Sequence, residues 1–198
     1  MAAKFQEIMF TDSVRGAQQE YYGQPRPIMH APGGDALTED EIAFIHARDS
    51  FYMATITETG WPYVQHRGGA PGFLRVLSPA QLAFADYRGN RQLISTGNLA
   101  VGDRLMLFLM DYPGRTRLKI IGHACIEDAR QHPDIVEQLA EPEIRDKVER
   151  LCFIEVVSYD WNCQQHITPR YTAEEIKGIV APLQQRIAEL ESQLNLKP

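Results

Sequence analysis

The stretch from residue 51 to residue 159 carries a series of short apolar segments bounded by turn residues, and this pattern restricts the fold more than any other feature. The segments are rich in β-branched and aromatic residues, which favour strands. They cover residues 51–57, 61–67, 73–77, 82–86, 104–112, 117–126 and 151–159. Parallel strands need long crossover connections, which are usually helical. Few such connections fit between these segments, so we predict a mainly β fold in which antiparallel strands form a barrel with flanking helices.

Several helices are predicted around this barrel. Thr38 and Glu41 form the S/T-x-x-E pattern of a capping box, which predicts a helix that begins at Thr38 and ends near Asp49. A short helix at residues 11–20 would be capped by Asp12 or Ser13, and proline and glycine residues follow it. Two more short helices are predicted at 134–139 and 142–150. The chain therefore divides into an N-terminal arm (1–36), a barrel domain (37–170) and a C-terminal helix (171–198).

The C-terminal segment has its own hydrophobic periodicity. Apolar residues recur at alternating steps of four and three: Ile176, Val180, Leu183, Ile187, Leu190 and Leu194. This a/d spacing predicts a helix with one apolar seam. Pro182 lies within the segment, so we expect the helix to begin there or to kink just before it. The seam has two interpretations, which are packing on the chain's own barrel and packing on a partner subunit.

Charge and cysteine content narrow the classes of function. The formal net charge is −6, whereas nucleic acids and anionic membranes select surfaces rich in lysine and arginine, so we expect neither partner. No apolar run reaches the ~20 residues of a membrane-spanning helix, and the N-terminus lacks a signal-peptide pattern. The three cysteines, Cys125, Cys152 and Cys163, form no CxxC pair. An odd number of cysteines without a CxxC pair favours buried thiols in a reducing cytoplasm over disulfides.

The segment of residues 86–92 has the composition of a phosphate site. It follows a predicted strand, contains a turn at Gly89 and carries Arg91, and a helical stretch is predicted from Arg91 to Thr96. An arginine beside a helix N-terminus binds an anion through its charge and through backbone N–H groups. Dinucleotide, P-loop and nucleophile-elbow motifs are absent from the sequence, and the six histidines lack the paired spacing of a metal site.

Four stretches, taken in order, resemble a known family. They are Gly60-Trp61-Pro62-Tyr63 at a hairpin, Phe84-Ala85-Asp86 at a strand end, Gly89-Asn90-Arg91-Gln92 after that strand, and RLKIIGHA at residues 117–124. This order is similar to that of the FMN-binding split-barrel family typified by pyridoxamine 5′-phosphate oxidase, over roughly residues 37–170. The resemblance implies an antiparallel split β-barrel that binds FMN at the interface of a homodimer.

The resemblance also implies a set of cofactor-binding positions. The set comprises Gln65, His66, Arg67, Gly68, Arg91 and Gln92 around the phosphate, Ala85 and Asp86 beside the flavin, Arg117 near the isoalloxazine ring, and Trp161, Gln164, Gln165, His166 and Arg170 from the partner subunit. Strand alternation puts Arg67 on the same face as Gln65, where the family oxidase has an arginine. Because Gln92 replaces a lysine of the family, Arg67 and Arg91 would together neutralise the phosphate. Arg117 would stabilise the anionic reduced flavin.

The expected function is that of an FMN-dependent oxidoreductase acting on an unidentified small molecule. Residues 162–169 lack the arginine and histidine pair of the oxidase's substrate site, so a different substrate is expected. No catalytic acid or base stands out, and His66 and His166 are the titratable groups to test for that role. The alternatives are a flavin or haem binding protein without turnover (a carrier or redox sensor), a deazaflavin (F420) reductase on the same fold, and a cofactor-free interaction domain.

Overall fold

A computed structural model of the protein describes residues 2–30, 32–161 and 165–195, and a seven-stranded sheet lies at its centre. The strands are β1 (Ser50–Ile56), β2 (Pro62–Gly68), β3 (Arg75–Ser78), β4 (Gln81–Tyr87), β5 (Arg104–Asp111), β6 (Thr116–Asp128) and β7 (Val148–Trp161). They lie in the order β2-β1-β5-β6-β7-β4-β3. The paired strands run antiparallel, and β2 and β3 form the two edges, so the barrel is split rather than closed. The predicted fold class is confirmed.

The helices are α1 (Ala3–Met9), α2 (Asp12–Tyr22), α3 (Glu39–His46), α4 (Ile94–Val101), α5 (Pro133–Leu139) and α6 (Ala173–Asn195), with short 3₁₀ turns at Ala129–Gln131 and Pro142–Lys147. The cap of α2 is Thr11, whose hydroxyl accepts from the Val14 amide, and neither Asp12 nor Ser13 is the cap. The sequence did not predict α1. The predicted helix at 142–150 is also wrong in part, because residues 148–150 already belong to β7 and pair with β4.

Contacts divide the chain into two compact units. One comprises Met1–Met110 and Arg117–Cys163, and it contains the core. The other comprises Asp111–Thr116 and Gln164–Pro198, and it contains α6. This helix runs from Ala173 to Asn195 with Pro182 inside it, so the first of the two predicted alternatives, that the helix begins at the proline, is wrong. No helix in residues 2–30, 32–161 or 165–195 combines the length and apolar character needed to cross a bilayer.

Aromatic side chains fill the barrel interior. Phe51 on β1 stacks on Phe73 with ring centroids 5.3 Å apart, and it meets Phe84 on β4 edge to face at 5.4 Å. Strand alternation explains this, because every second residue of β1 is buried. The apolar face of α3 covers the same core through Ile45. Burial of these side chains supplies the main stabilisation of the fold.

The cysteines occupy different surroundings. Cys152 lies in the core, where burial raises the pKa of its thiol well above the usual value and keeps it protonated. Cys125 is exposed, so the expectation that all cysteines are buried is wrong for this residue. Its pKa is also raised, by partial burial and by the neighbouring Glu127 carboxylate. Cys163 lies outside the described residues.

The capping box at α3 is present as predicted, and it joins a tertiary contact. The Glu41 carboxylate accepts from the Thr38 amide at 2.8 Å and also from the indole N–H of Trp161. Trp161 packs edge to face on Phe44 with ring centroids 4.8 Å apart. Burial by itself would raise the pKa of Glu41, but the hydrogen bonds from Thr38 and Trp161 lower it below its usual 4.5.

Replacing Glu41 with glutamine is expected to remove a pH-dependent part of the stability. Because the pKa is lower in the folded chain than in the unfolded chain, the ionised carboxylate stabilises the fold fully above about pH 4.5. This stabilisation is lost as the pH falls through the lowered folded pKa. Urea unfolding of wild type and Glu41→Gln between about pH 3 and pH 7 measures the difference, which should shrink at acid pH. The exposed Glu39→Gln variant is the control, and a difference independent of pH would contradict the assignment.

Candidate functional site

A polar cleft of about 170 Å³ opens where β2, the end of β4 and the start of α4 meet. It brings together five of the predicted cofactor-binding residues: Gln65, Arg67, Asp86, Arg91 and Gln92. Its other lining residues are Tyr63, Tyr87, Gly89, Asn90, Leu93, Ile94, Ser95, Thr96 and Arg150. Three arginines and one aspartate leave a formal surplus of two positive charges at this site. The chain's overall charge is negative, so the surplus is a local feature.

Pairing with β1 decides which side chains of β2 reach the cleft. Arg67 pairs with Phe51, and Gln65 pairs with Met53, and both partners point into the core. Arg67 and Gln65 therefore share the inner face, and they lie at its open edge because β2 is an edge strand. His66 points to the opposite face, where its ring lies 5.6 Å from that of Tyr52. His66 and Gly68 are not among the residues that line the cleft.

Asp86 is the centre of a buried charge network. Only 5% of its surface is exposed, and its two oxygens accept from two different guanidinium groups. Oδ1 accepts from Arg67, and Oδ2 accepts from Nε of Arg150 at 2.9 Å. Burial alone would lower the pKa of Arg150, but the hydrogen bond to Asp86 and its charge raise it. The network fixes both guanidinium groups at the base of the cleft.

Arg150 is the site residue that sequence reasoning missed. Its position was assigned to a predicted helix, whereas the structure places it on β7 directly opposite Asp86. A buried aspartate at the end of a strand needs a cationic partner, and this requirement was the available signal. It could not select Arg150, which is 64 residues away in the chain.

The loop before α4 and the first turn of that helix line the cleft. The backbone N–H of Gln92 donates to Oδ1 of Asn90 at 3.1 Å, and Arg91 and Leu93 both adopt left-handed backbone with φ of 62° and 54°. Helix α4 begins at Ile94, so the prediction that it begins at Arg91 is wrong. Its first turn lies in the cleft lining, and the N–H groups of a first helical turn have no partner within the helix. These N–H groups and the helix dipole favour an anion.

Side-chain hydrogen bonds hold the two walls of the cleft together. The Ser95 hydroxyl, in the first turn of α4, donates to Oε1 of Gln65 at 2.9 Å. One turn later, the Asn98 amide donates to the Thr55 hydroxyl on β1 at 2.9 Å, and both residues are buried. These bonds attach α4 to the first hairpin. Because each one joins two elements, the position of the helix N-terminus relative to Arg67 is set in advance.

The other predicted site residues lie elsewhere. Ala85 points away from the barrel interior and packs with Leu139 of α5. The Arg117 guanidinium lies over the ring of Phe108 at 5.9 Å. Trp161 is engaged by Glu41, as described above. In the second unit, Arg170 lies over the Tyr112 ring at 4.9 Å, and His166 has a left-handed backbone with φ of 64°, while Gln165 is exposed. Gln164 lies outside the described residues.

A second and larger cavity, of about 410 Å³, lies on the outer face of the sheet. Much of its wall is apolar, with Ile8, Ile56, Met106 and Val157 among the lining residues, and Arg104 also lines it. It shares no residue with the polar cleft. No group of three or more histidine, cysteine or acidic side chains within the described parts of the chain could hold a metal ion.

Comparison with known proteins supports the fold. No protein-family model matches the chain, and no curated protein matches it in sequence. Among solved structures, a proposed pyridoxamine 5′-phosphate oxidase from Lactobacillus delbrueckii superposes with a TM-score of 0.50 at 18% identity, covering 64% of this chain and 94% of that one. HupZ of Group A Streptococcus also has a TM-score of 0.50, at 12% identity, covering 68% of this chain and 99% of the other. What the three proteins share is the split-barrel fold.

Proposed function

We propose that this split-barrel protein binds FMN, with the phosphate in the polar cleft at the start of α4, and uses the flavin for redox chemistry on a small molecule. The observation that carries the proposal is the local surplus of positive charge beside a helix N-terminus. A phosphate monoester carries close to two negative charges at neutral pH and offers three acceptor oxygens. Arginine side chains and first-turn N–H groups are its complementary donors.

The donor set is also organised in advance for a phosphate. Asp86 holds the guanidinium group of Arg67, which lines the cleft, in place before any ligand arrives. A donor group that is already positioned limits the entropy lost when an anion binds.

The family that the sequence resembles binds FMN, and a proposed pyridoxamine 5′-phosphate oxidase shares the fold. The flavin, when bound, supplies electron transfer to or from a substrate. The chain's own residues would bind the phosphate and orient the cofactor. Among the described residues no histidine lines the cleft, so proton transfer at the substrate would depend on other groups.

We further propose that the functional unit is a homodimer. Large apolar side chains on the outer face of the first hairpin are exposed, including Tyr52, Ile56 and Val64. They lie beside the apolar cavity on the same face of the sheet. A continuous apolar surface of this kind marks an interaction site. A second copy of the chain would cover it, and sedimentation of the purified protein at several concentrations tests this. The proposed location is the cytoplasm.

Wild-type protein is expected to bind FMN and to lose affinity for it when Arg91 is replaced by alanine. Removal of one charged hydrogen-bond donor to the phosphate should weaken FMN binding by about ten- to a hundredfold. Riboflavin has the same ring and no phosphate, so its weaker binding should not change. Titration followed by flavin fluorescence, together with absorption spectra after gel filtration, measures both ligands.

The matched control for this experiment is Arg115→Ala. Arg115 is also an exposed arginine with left-handed backbone, with φ of 52°, but it lies in the turn between β5 and β6 and not in the cleft lining. This variant should bind FMN as wild type does. Protein that retains no FMN would refute the proposal, and so would an Arg91→Ala variant that loses riboflavin and FMN affinity equally.

A further inference from the structure

Helix α6 presents a continuous apolar seam that is exposed in the single chain. The seam consists of Ile176, Val180, Leu183, Ile187, Leu190 and Leu194, which are between 37% and 68% exposed. Six large aliphatic side chains on one face of a 23-residue helix are far more than solubility favours. The seam belongs to the second unit and plays no part in the proposed phosphate site. An apolar surface with the same spacing of side chains, such as a second helix with this seam, would cover it.

The types of residue at the a and d positions of the seam indicate how a partner helix would pack. With Ile176 at position d of a heptad, the a positions hold Val180, Ile187 and Leu194, and the d positions hold Ile176, Leu183 and Leu190. Two of the three a residues are β-branched, and two of the three d residues are leucine. β-branched residues at a with leucine at d favour a parallel two-stranded coiled coil. The spacing therefore indicates both the number of helices and their direction.

The charged residues beside the seam favour the same arrangement. Arg186 occupies a g position, and Glu191 occupies the following e position. In a parallel pair of helices, each g residue faces the next e residue of the other helix. Arg186 of each chain would therefore face Glu191 of the other chain, which gives two such pairs, one on each side of the coiled coil. An antiparallel pair that aligns the same layers would place the two copies of Arg186 against each other. In the single chain Arg186 pairs with Glu189 at 3.1 Å, an exposed contact that is easily exchanged.

The proline inside α6 does not interrupt the seam. Pro182 falls at a c position, and its ring is directed against the carbonyl of Gly178, which falls at f. Both positions lie outside the a and d positions, so the backbone hydrogen bond that the proline removes does not lie along the seam. The apolar register therefore continues through the proline without a shift. A partner helix could follow the seam along its full length of about 27 Å.

We propose that α6 pairs with α6 of a second copy of this chain as a parallel, in-register, two-stranded coiled coil. An isolated helix of this length with an internal proline has low stability in water. Burial of the two apolar seams against each other compensates for that cost. The contact is separate from the phosphate cleft, and it would bring the C-termini of the two copies together at one end.

Disulfide cross-linking of the full-length chain tests the pairing and its direction. In a background with Cys125 and Cys163 replaced by serine, Leu190→Cys puts a thiol at a d position, where identical residues of a parallel pair meet within disulfide range. Ser192→Cys, at the outward f position two residues later, is the matched control. Under a mild oxidant, covalent dimer should form at least about tenfold faster for Leu190→Cys than for Ser192→Cys. Equal rates would overturn the proposal.

The same readout separates the two directions. In an antiparallel pair, Leu190 would face Val180 and would lie about 15 Å from its own equivalent, beyond disulfide range. Mixed chains carrying Val180→Cys or Leu190→Cys would then cross-link with each other and not with themselves, which would also overturn the proposal. Because only the helix is probed, a barrel dimer without helix pairing gives equal rates for the d and f positions.

Charge reversal gives an independent check in the Leu190→Cys background. Arg186→Glu and Glu191→Arg each turn the two attractive pairs into repulsive pairs, so each should slow cross-linking by about threefold. The combined variant restores opposite charges and should restore the wild-type rate. If the combined variant is slower than both single variants, the g and e residues do not face each other and the parallel register is wrong. FMN binding should be unchanged in all of these variants.

Discussion

Replacing Asp86 with alanine is expected to lower the free energy of unfolding by about 3–5 kcal/mol. The carboxylate is almost fully buried between Arg67 and Arg150, and each of these side chains is only 17% exposed. Its removal leaves Arg67 without a carboxylate partner and leaves Arg150 with only the more exposed Glu149. Burial of an uncompensated charge is costly. Equilibrium unfolding in urea, monitored by far-UV circular dichroism, measures the change. The midpoint should fall while the slope stays near that of wild type.

Glu149→Ala is the control for this experiment. Glu149 also pairs with Arg150, at 3.0 Å, but its carboxylate is more exposed and Arg88 shares it. The loss of a solvated ion pair changes stability little, so its midpoint should stay close to that of wild type. If Asp86→Ala and Glu149→Ala behaved alike, the Asp86 network would not be buried as the structure places it. An Asp86→Asn variant, which keeps the shape of the side chain, should fall between them.

Replacing Phe84 with alanine is expected to lower the free energy of unfolding by about 3–5 kcal/mol as well, for a different reason. Phe84 lies on β4, is 1% exposed, and its ring meets that of Phe51 edge to face. Truncation removes buried apolar area and leaves a cavity that a split barrel cannot fully close. The Arg67 guanidinium lies over the same ring at 5.7 Å, so this variant should also loosen the base of the phosphate cleft.

Urea unfolding again measures the stability, and the FMN titration measures the effect on the cleft. Tyr21→Ala serves as the comparison, because Tyr21 is an aromatic residue on α2 with 76% of its surface exposed. That variant should unfold close to the wild-type midpoint and bind FMN normally. Phe84→Leu keeps most of the volume and should cost less than Phe84→Ala. If the urea midpoint of Phe84→Ala equalled that of Tyr21→Ala, the placement of Phe84 in the core would be contradicted.

Much of the fold was predictable because it depends on neighbours in the chain. The capping box at Thr38 and Glu41 needs residues only three positions apart, and it is present. All seven predicted strands are also present, because period-two alternation and turn residues are local signals. Apart from α1, which the sequence does not predict, the errors lie at element ends. Residues 148–150 belong to a predicted helix over 142–150, but pairing with β4 makes them a strand.

The phosphate cleft shows the limit of the same reasoning. The sequence alone determined that Gln65 and Arg67 share a face of their strand and that Arg91 lies close to the start of a helix. Only the tertiary structure decided that Arg150 meets Asp86, that Ala85 faces α5, and that Trp161 is held by Glu41. Which side chains of a strand or helix share a face follows from local backbone geometry, and a sequence pattern encodes that geometry directly. Contacts between distant segments depend on strand order and register, which are set by the packing of the whole core.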